Sequence, residues 1–199
     1  MTPCSSHKCL KITVLVSGRG TNLQAILEAQ KAGTIQSEVT LVISNKKNAT
    51  ALERAKAFAI PTKVIPSNCD PKEFFLELKQ AVQAAKPDLI VLAGFMKILP
   101  HDFVQTFPNR IINIHPALLP NFPGLDAQGQ AIAARVKKTG CTVHFVDEGC
   151  DTGPIILQKT LKILPKETRD SLAERLLPLE HQTLIEAIQM IEAGKIKKP

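Results

Sequence analysis

Aromatic residues and clusters of one charge are scarce in this chain of 199 residues. It has no tryptophan, no tyrosine and eight phenylalanines, so it offers few of the aromatic platforms on which single-stranded nucleic acids stack. Its net charge of +7 is scattered, apart from a short basic stretch at 195–198. We therefore expect a basic surface that suits anionic small molecules, with no nucleic acid as partner. A basic module that binds nucleotides or RNA is the alternative that the charge leaves open.

Long apolar runs and a regular cysteine pattern are also absent. No stretch is apolar for long enough to span a bilayer, and residues 1–9 lack the charged start and apolar middle of a signal peptide. The five cysteines stand at irregular positions, which does not suggest a disulfide framework. We expect a cytoplasmic protein with reduced cysteines, no membrane partner and no metal, in which residues 1–9 form a flexible, tag-like tail.

Strand-like and helix-like segments alternate through the first half of the chain, and the length suits a single domain, 1–199. Strands are predicted at 10–16, 39–44, 62–65, 88–93 and 110–114, and helices at 23–31, 49–59 and 71–85. Asp70 and Pro71 have the residue types of a helix N-cap and first turn. The alternation predicts an α/β fold with a Rossmann-like, mostly parallel twisted sheet flanked by helices.

The regular alternation of predicted strands and helices ends after residue 125. A helix is predicted at 127–138, strands at 141–146 and 155–163, and a long helix at 169–193. The two strands are separated by too few residues for a crossover helix, so we expect an antiparallel strand pair near the C-terminus. Pro178 should break or kink the last helix, and Gly194 should end it.

A glycine-bearing turn, Ser-Gly-Arg-Gly-Thr-Asn at 17–22, joins the first strand to the first helix. Backbone N–H groups and the helix dipole favour an anion there. The pattern fails as a dinucleotide fingerprint, because Leu23 stands at the third glycine position and no acid follows the second strand. A monophosphate ligand therefore fits this turn better, with a plain strand-to-helix turn as the alternative.

Asn113 and His115 form the most suggestive pair. They lie two residues apart in a strand that Pro116 ends, so both side chains project from one face at the end of the strand. An acid near His115 would favour its imidazolium form, a proton and hydrogen-bond donor at neutral pH. Asp147, Glu148 and Asp151 are the candidates, and their spacing does not choose between them. The other histidines, at 101, 144 and 181, are interpreted as structural or surface residues.

Four motifs together resemble one family. They are Ser-Gly-Arg-Gly-Thr-Asn at 17–22, Leu-Ala-Gly-Phe-Met-Lys-Ile-Leu at 92–99, Asn-Ile-His-Pro-Ala-Leu-Leu-Pro at 113–120 and Asp-Thr-Gly-Pro at 151–154. From Leu10 to about Gly194 the chain resembles the phosphoribosylglycinamide formyltransferases, folate-dependent enzymes of purine synthesis. The resemblance implies a Rossmann-like phosphate-binding half at 10–110 and a folate-binding and catalytic half at 111–199.

The same resemblance implies roles for individual residues. Asn113, His115 and Asp151 would be the catalytic trio, so the resemblance selects Asp151 among the three acids. The Leu119–Pro120 bond is expected to be cis. Lys97 and Lys72 stand where Arg is common, which keeps the charge but loses the bidentate fork. Glycinamide ribonucleotide (GAR) would bind Gly20, Thr21, Asn22 and Glu180, and the folate Lys72, Met96, Lys97, Ile98, Leu99 and Asn113.

The activity implied is transfer of the formyl group of 10-formyltetrahydrofolate, as co-substrate, to the amine of GAR. The chain would work as a monomer or homodimer. A formyltetrahydrofolate hydrolase and a methionyl-tRNA formyltransferase are similar around Asn113 and His115. We expect neither, since the hydrolase carries a further N-terminal domain and the tRNA enzyme a further C-terminal one.

Overall fold

The computed structural model describes residues 9–196, so most of the predicted tail 1–9 lies outside the described residues. Within these residues, seven strands form one sheet in the order β3-β2-β1-β4-β5-β6-β7. The first five run parallel, while β6 is antiparallel to both β5 and β7. The predicted fold class and the antiparallel pair are therefore confirmed. The strands are β1 Lys11–Val16, β2 Glu38–Ser44, β3 Thr62–Val64, β4 Leu89–Leu92, β5 Ile111–His115, β6 Lys138–Phe145 and β7 Ile155–Lys162.

In the described part of the chain, six helices cover the sheet: α1 Thr21–Lys31, α2 Thr50–Ala57, α3 Pro71–Ala85, α4 His101–Thr106, α5 Ala127–Ala133 and α6 Arg169–Glu192. The Asp70 carboxylate accepts the backbone N–H groups of Lys72 and Glu73, which confirms the predicted cap of α3. Helix α6 continues through Pro178, so the proline does not end it. Gly194 has φ +64°, the left-handed conformation expected just beyond a helix C-terminus.

The prediction of a helix at 127–138 was wrong in its second half. Helix α5 ends at Ala133, and Arg135 takes a left-handed conformation that a helix cannot continue. Lys138 already pairs with Lys162 of β7, so β6 begins three residues earlier than predicted. Pairing with a neighbouring strand outweighs the helix propensity of this segment. The six-residue α4 was not predicted as an element.

Apolar side chains pack on both faces of the sheet. Ile12, Val14 and Val16 of β1 pack on the side of α1, α2 and α6, whereas Leu15 packs on the side of α3 and α4. Burial on both faces explains why the parallel strands read as nearly continuous apolar runs. Among residues 9–196, no helix is long and apolar enough to cross a membrane.

Candidate active site

The carboxyl ends of β1, β4 and β5 lie side by side, because these strands are neighbours in the parallel part of the sheet. Ser17, just after β1, donates its backbone N–H to Gly94 O at 3.1 Å. Its hydroxyl accepts the backbone N–H of Met96 at 2.8 Å. The turn 17–22 is therefore hydrogen-bonded to the segment 94–99, and both lie at the edge where ligands bind in α/β sheets.

Asp151 joins the two side chains predicted at the end of β5. Its Oδ1 lies 3.3 Å from Asn113 Nδ2, and its Oδ2 lies 3.3 Å from His115 Nδ1. The same Oδ2 accepts the backbone N–H of Gly124 at 2.8 Å. The structure thus brings Asn113, His115 and Asp151 into one cluster, with the Asp151 side chain 13% and the His115 side chain 5% exposed.

Both ring nitrogens of His115 face acceptors. Nδ1 faces the Asp151 carboxylate, and Nε2 lies 2.8 Å from the carbonyl oxygen of Phe122. A neutral imidazole has one N–H, whereas the imidazolium has two. Only the protonated ring can donate to both acceptors at once, so this geometry suits a cationic His115.

The other two candidate acids have different partners. Asp147 Oδ1 accepts the backbone N–H of Gly149 and the hydroxyl of Thr152, which folds the loop between β6 and β7. Glu148 is exposed and pairs with His101 at 2.6 Å. Of the three acids left open by spacing, Asp151 is the one whose carboxylate contacts His115.

The Asp151 carboxyl is held in its charged form. Burial alone would raise its pKa, but the His144 hydrogen bond, the Gly124 N–H and the charges of His115 and His144 outweigh burial. Together they lower the pKa of Asp151 from 3.8 to about 2. The carboxylate can therefore accept hydrogen bonds throughout the neutral pH range.

This shift predicts a pH-dependent contribution to stability. The folded pKa of Asp151 lies below the unfolded value of 3.8, so the charged group stabilises the fold by about 2 kcal/mol above pH 3.8. That contribution is lost as the pH falls towards 2. In urea unfolding, the gap in free energy between the wild type and Asp151→Asn should be present at pH 7 and close as the carboxyl is protonated. A gap that stays constant down to pH 2.5 would contradict this linkage.

His144 belongs to the cluster, although its sequence position suggested a structural residue. Its Nε2 lies 3.3 Å from Asn113 Nδ2 and 3.4 Å from Asp151 Oδ1. Its Nδ1 lies 2.8 Å from Phe145 O, so Nδ1 carries the proton that this carbonyl accepts. The antiparallel register places His144 directly opposite Asn113. His144 could have been assigned to the site from the sequence only if the pairing of β6 with β5 had been predicted.

The turn 17–22 has the conformation that its glycines allow. Gly20 has φ +71°, and a Cβ there would lie 2.5 Å from the Ala51 Cβ, so both the backbone conformation and the lack of space exclude a side chain.

Asn22, in the same turn, contacts Glu180 of α6. It donates from Nδ2 to Glu180 Oε2 at 3.1 Å, while its buried Oδ1 has no hydrogen-bond partner within residues 9–196. Burial raises the pKa of Glu180, although the Asn22 hydrogen bond and the Arg19 charge oppose the shift. Thr21 begins α1 beside them.

The residues expected to bind folate form an apolar surface next to this turn. Met96 and Ile98 are 62% and 72% exposed, while Leu99 is buried. Exposed apolar side chains at a strand edge suit a flat ligand ring. Lys97 is exposed in the same segment, and Lys72 lies exposed in the first turn of α3. Their folate contacts stay predictions. Within the described ranges no group of three or more His, Cys, Asp or Glu is arranged to hold a metal ion.

The fold and the cluster at its edge define a class of protein. A model of the formyl transferase family matches residues 10–188, and the chain belongs to that family. Phosphoribosylglycinamide formyltransferase of Bacillus subtilis is 41% identical over 174 residues, which cover 86% of this chain and 89% of the relative. The trifunctional purine biosynthetic protein adenosine-3 of Drosophila melanogaster is 45% identical over 95% of this chain. The chain spans only 14% of that longer protein.

Solved structures give the same result. Glycinamide ribonucleotide transformylase 1 of Symbiobacterium toebii superimposes with a TM-score of 0.92 at 43% identity, covering 95% of this chain and 90% of its own. A formyltetrahydrofolate deformylase of Pseudomonas syringae superimposes with a TM-score of 0.89 at 26% identity, and the match covers 64% of that protein. The fold is thus shared by both activities, while sequence similarity is higher to the transformylase.

Proposed function

We propose that this chain transfers the formyl group of 10-formyltetrahydrofolate to the amine of GAR, giving formylglycinamide ribonucleotide and tetrahydrofolate. The observation that carries the proposal is Asp151, which bridges Asn113 and His115 at the end of β5 in a chain of the formyl transferase family. Two relatives that are about 40% identical, with matches covering 89% and 90% of their length, bear the name of this activity.

In the proposed mechanism the GAR amine attacks the formyl carbon directly. The new carbon–nitrogen bond forms, the formyl oxygen takes up negative charge, and the bond from carbon to the folate nitrogen then breaks. A proton passes from the attacking amine to the departing folate nitrogen, so charge and atoms balance. The His115 imidazolium turns its Nε2–H from Phe122 O to the oxyanion, and the Asn113 amide donates a second hydrogen bond to it. Asp151 supports the protonated His115 through Nδ1.

The contacts of Asn113 are compatible with this role. Its Nδ2 lies 3.3 Å from both Asp151 and His144, at the long end of the hydrogen-bond range. An amide held this loosely can turn one N–H to a substrate oxygen with little loss, because catalytic hydrogen bonds often tighten only in the complex.

We further propose that different segments of the chain bind the two substrates. The half 10–110 binds the GAR phosphate through Gly20, Thr21 and Asn22, with Glu180 of α6 reaching the ribonucleotide from the second half. The backbone N–H groups at the start of α1, where no described side chain caps the helix, support this assignment. The folate lies against Met96–Leu99, with Lys72 and Lys97 towards its acidic tail. The cytoplasmic location and the choice between monomer and homodimer stay predictions.

Formyl transfer measured with three acceptors tests the proposal. We expect product with GAR, and at most slow release of formate with water or formylation of initiator methionyl-tRNA. The deformylase likeness makes water the acceptor to compare most closely. Formate release without a GAR product would assign the chain to hydrolysis instead.

A further inference from the structure

We propose that Thr142 and Gln158 are positioning residues that hold the segment 116–124 against the catalytic cluster. The inference rests on the proposed role of His115 and adds two side chains to it. Neither residue touches Asn113, His115 or Asp151 through a described hydrogen bond; both act through the backbone that follows β5.

The sheet register brings the two residues next to His115. Thr142 of β6 lies directly opposite His115 of β5, and Gln158 of β7 lies directly opposite Thr142. Residues that oppose each other across neighbouring strands project from the same face. Thr142 is fully buried. A row of His115, Thr142 and Gln158 therefore crosses three strands beneath the segment that leaves β5.

The Thr142 hydroxyl uses its full hydrogen-bonding capacity on the segment 116–124 and on the Gln158 side chain. Oγ1 donates to Ala117 O at 2.6 Å, accepts from Leu119 N at 3.1 Å, and accepts from Gln158 Nε2 at 2.9 Å. A hydroxyl has one donor and two acceptor sites, so all three are occupied. Gln158 Nε2 also donates to Leu119 O at 2.9 Å.

These bonds replace the ladder that the segment cannot form. Prolines stand at 116, 120 and 123 and have no N–H to donate. Two side chains thus bind three backbone groups of residues 117–119. An irregular segment so poor in donors depends on such side-chain partners to keep one conformation.

The anchored segment then contacts the cluster twice. Phe122 O faces His115 Nε2 at 2.8 Å, and Gly124 N donates to Asp151 Oδ2 at 2.8 Å. Loss of the anchor would let both backbone groups move, and with them the ring and the carboxylate. Misplacement by about 1 Å can cost on the order of 100-fold in rate.

The test compares two buried threonines of the same strand. Thr142→Val removes the anchoring hydroxyl, while Thr139→Val removes a hydroxyl that is equally buried but has no hydrogen-bond partner in the described part of the chain. We expect Thr142→Val to lower kcat by about 10- to 100-fold, with the KM for GAR nearly unchanged because the turn 17–22 is untouched. Thr139→Val should keep the wild-type kcat, and Thr142→Ser should restore most of it. Gln158→Met, which removes the amide, should also lower kcat, by a smaller factor than Thr142→Val.

A second readout separates this proposal from the proposed function. The ¹⁵N signals of the His115 ring, followed as a function of pH, report its contacts in the absence of substrate. We expect their titration to change in Thr142→Val and not in Thr139→Val. If the wild type fails to formylate GAR, the proposed function fails and this titration still tests the anchor. Unchanged kcat and ring signals in a folded Thr142→Val, or equal losses in both valine variants, would overturn it.

Discussion

Replacing His115 with alanine is expected to lower kcat for formyl transfer to GAR by at least about 1,000-fold. The substitution removes both a donor to the developing oxyanion and a group that can move a proton. Loss of one oxyanion donor alone costs on the order of 100- to 1,000-fold, and loss of a general acid on the order of 100- to 10,000-fold. The ring is buried at the end of β5 with acceptors at both nitrogens, so water does not replace it readily.

The effect should appear in kcat and leave GAR binding largely intact. The turn 17–22 follows β1, and its hydrogen bonds to Gly94 and Met96 do not involve His115. We therefore expect the KM for GAR to change by no more than a few-fold. His101→Ala is the matched control, because it removes an imidazole from an exposed position at the start of α4. A folded His115→Ala variant within tenfold of the wild-type kcat would refute the assignment.

The parallel half of the fold could be predicted from the sequence because local signals agree there. Strands such as Leu89–Leu92 are buried on both faces and read as unbroken apolar runs, and the first three strands are each followed by a segment with helical spacing. Asp70 and Gly194 mark helix ends by their residue types alone. Pro178 was less informative, since the packing of α6 on the sheet keeps the helix whole around it.

The antiparallel half was harder to predict because its structure depends on pairing between distant strands. Residues 134–138 have a helix-like composition, yet β7 recruits Lys138 into the sheet. The pairing of β6 with β5 also brings His144 to Asn113, which are 31 positions apart. No local pattern carries that information. The residue types at 122 and 124 did not indicate a role in the site either, because Phe122 and Gly124 contact His115 and Asp151 through backbone groups.

The candidate site, like the fold, could be predicted only in part from the sequence. Asn113 and His115 follow from strand alternation, since a separation of two residues fixes their common face. The acid does not, because three carboxylates within five positions fit the spacing equally well. Asp151 is distinguished by a left-handed backbone, φ +57°, in a loop where Gly153 passes too close to Phe145 O to accept a Cβ. Backbone geometry of this kind selects one acid out of three.

Replacing Asp151 with asparagine is expected to lower kcat by about 100- to 10,000-fold, in the range typical of acid–base partners. Asparagine is close in shape, so the loop should keep its fold, but it lacks the charge that supports a protonated His115. One of its two polar atoms is also a donor, which would face the N–H of His115, of Gly124 or of Asn113. The contacts that a carboxylate accepts on both oxygens can therefore not all be kept.

Glu148→Gln is the matched control for this change, since it removes one negative charge from the same loop. Glu148 is exposed, and its pair with His101 belongs to a class of surface contacts worth at most about 1 kcal/mol. We expect this variant to stay within about twofold of the wild-type kcat. The comparison is sharpest at neutral pH, where the lowered pKa of Asp151 keeps its carboxylate charged and in contact with His115. An Asp151→Asn variant with full activity would refute the role of Asp151. A loss of the same size in Glu148→Gln would show that the charge of the loop as a whole matters and that the contact of Asp151 with His115 does not.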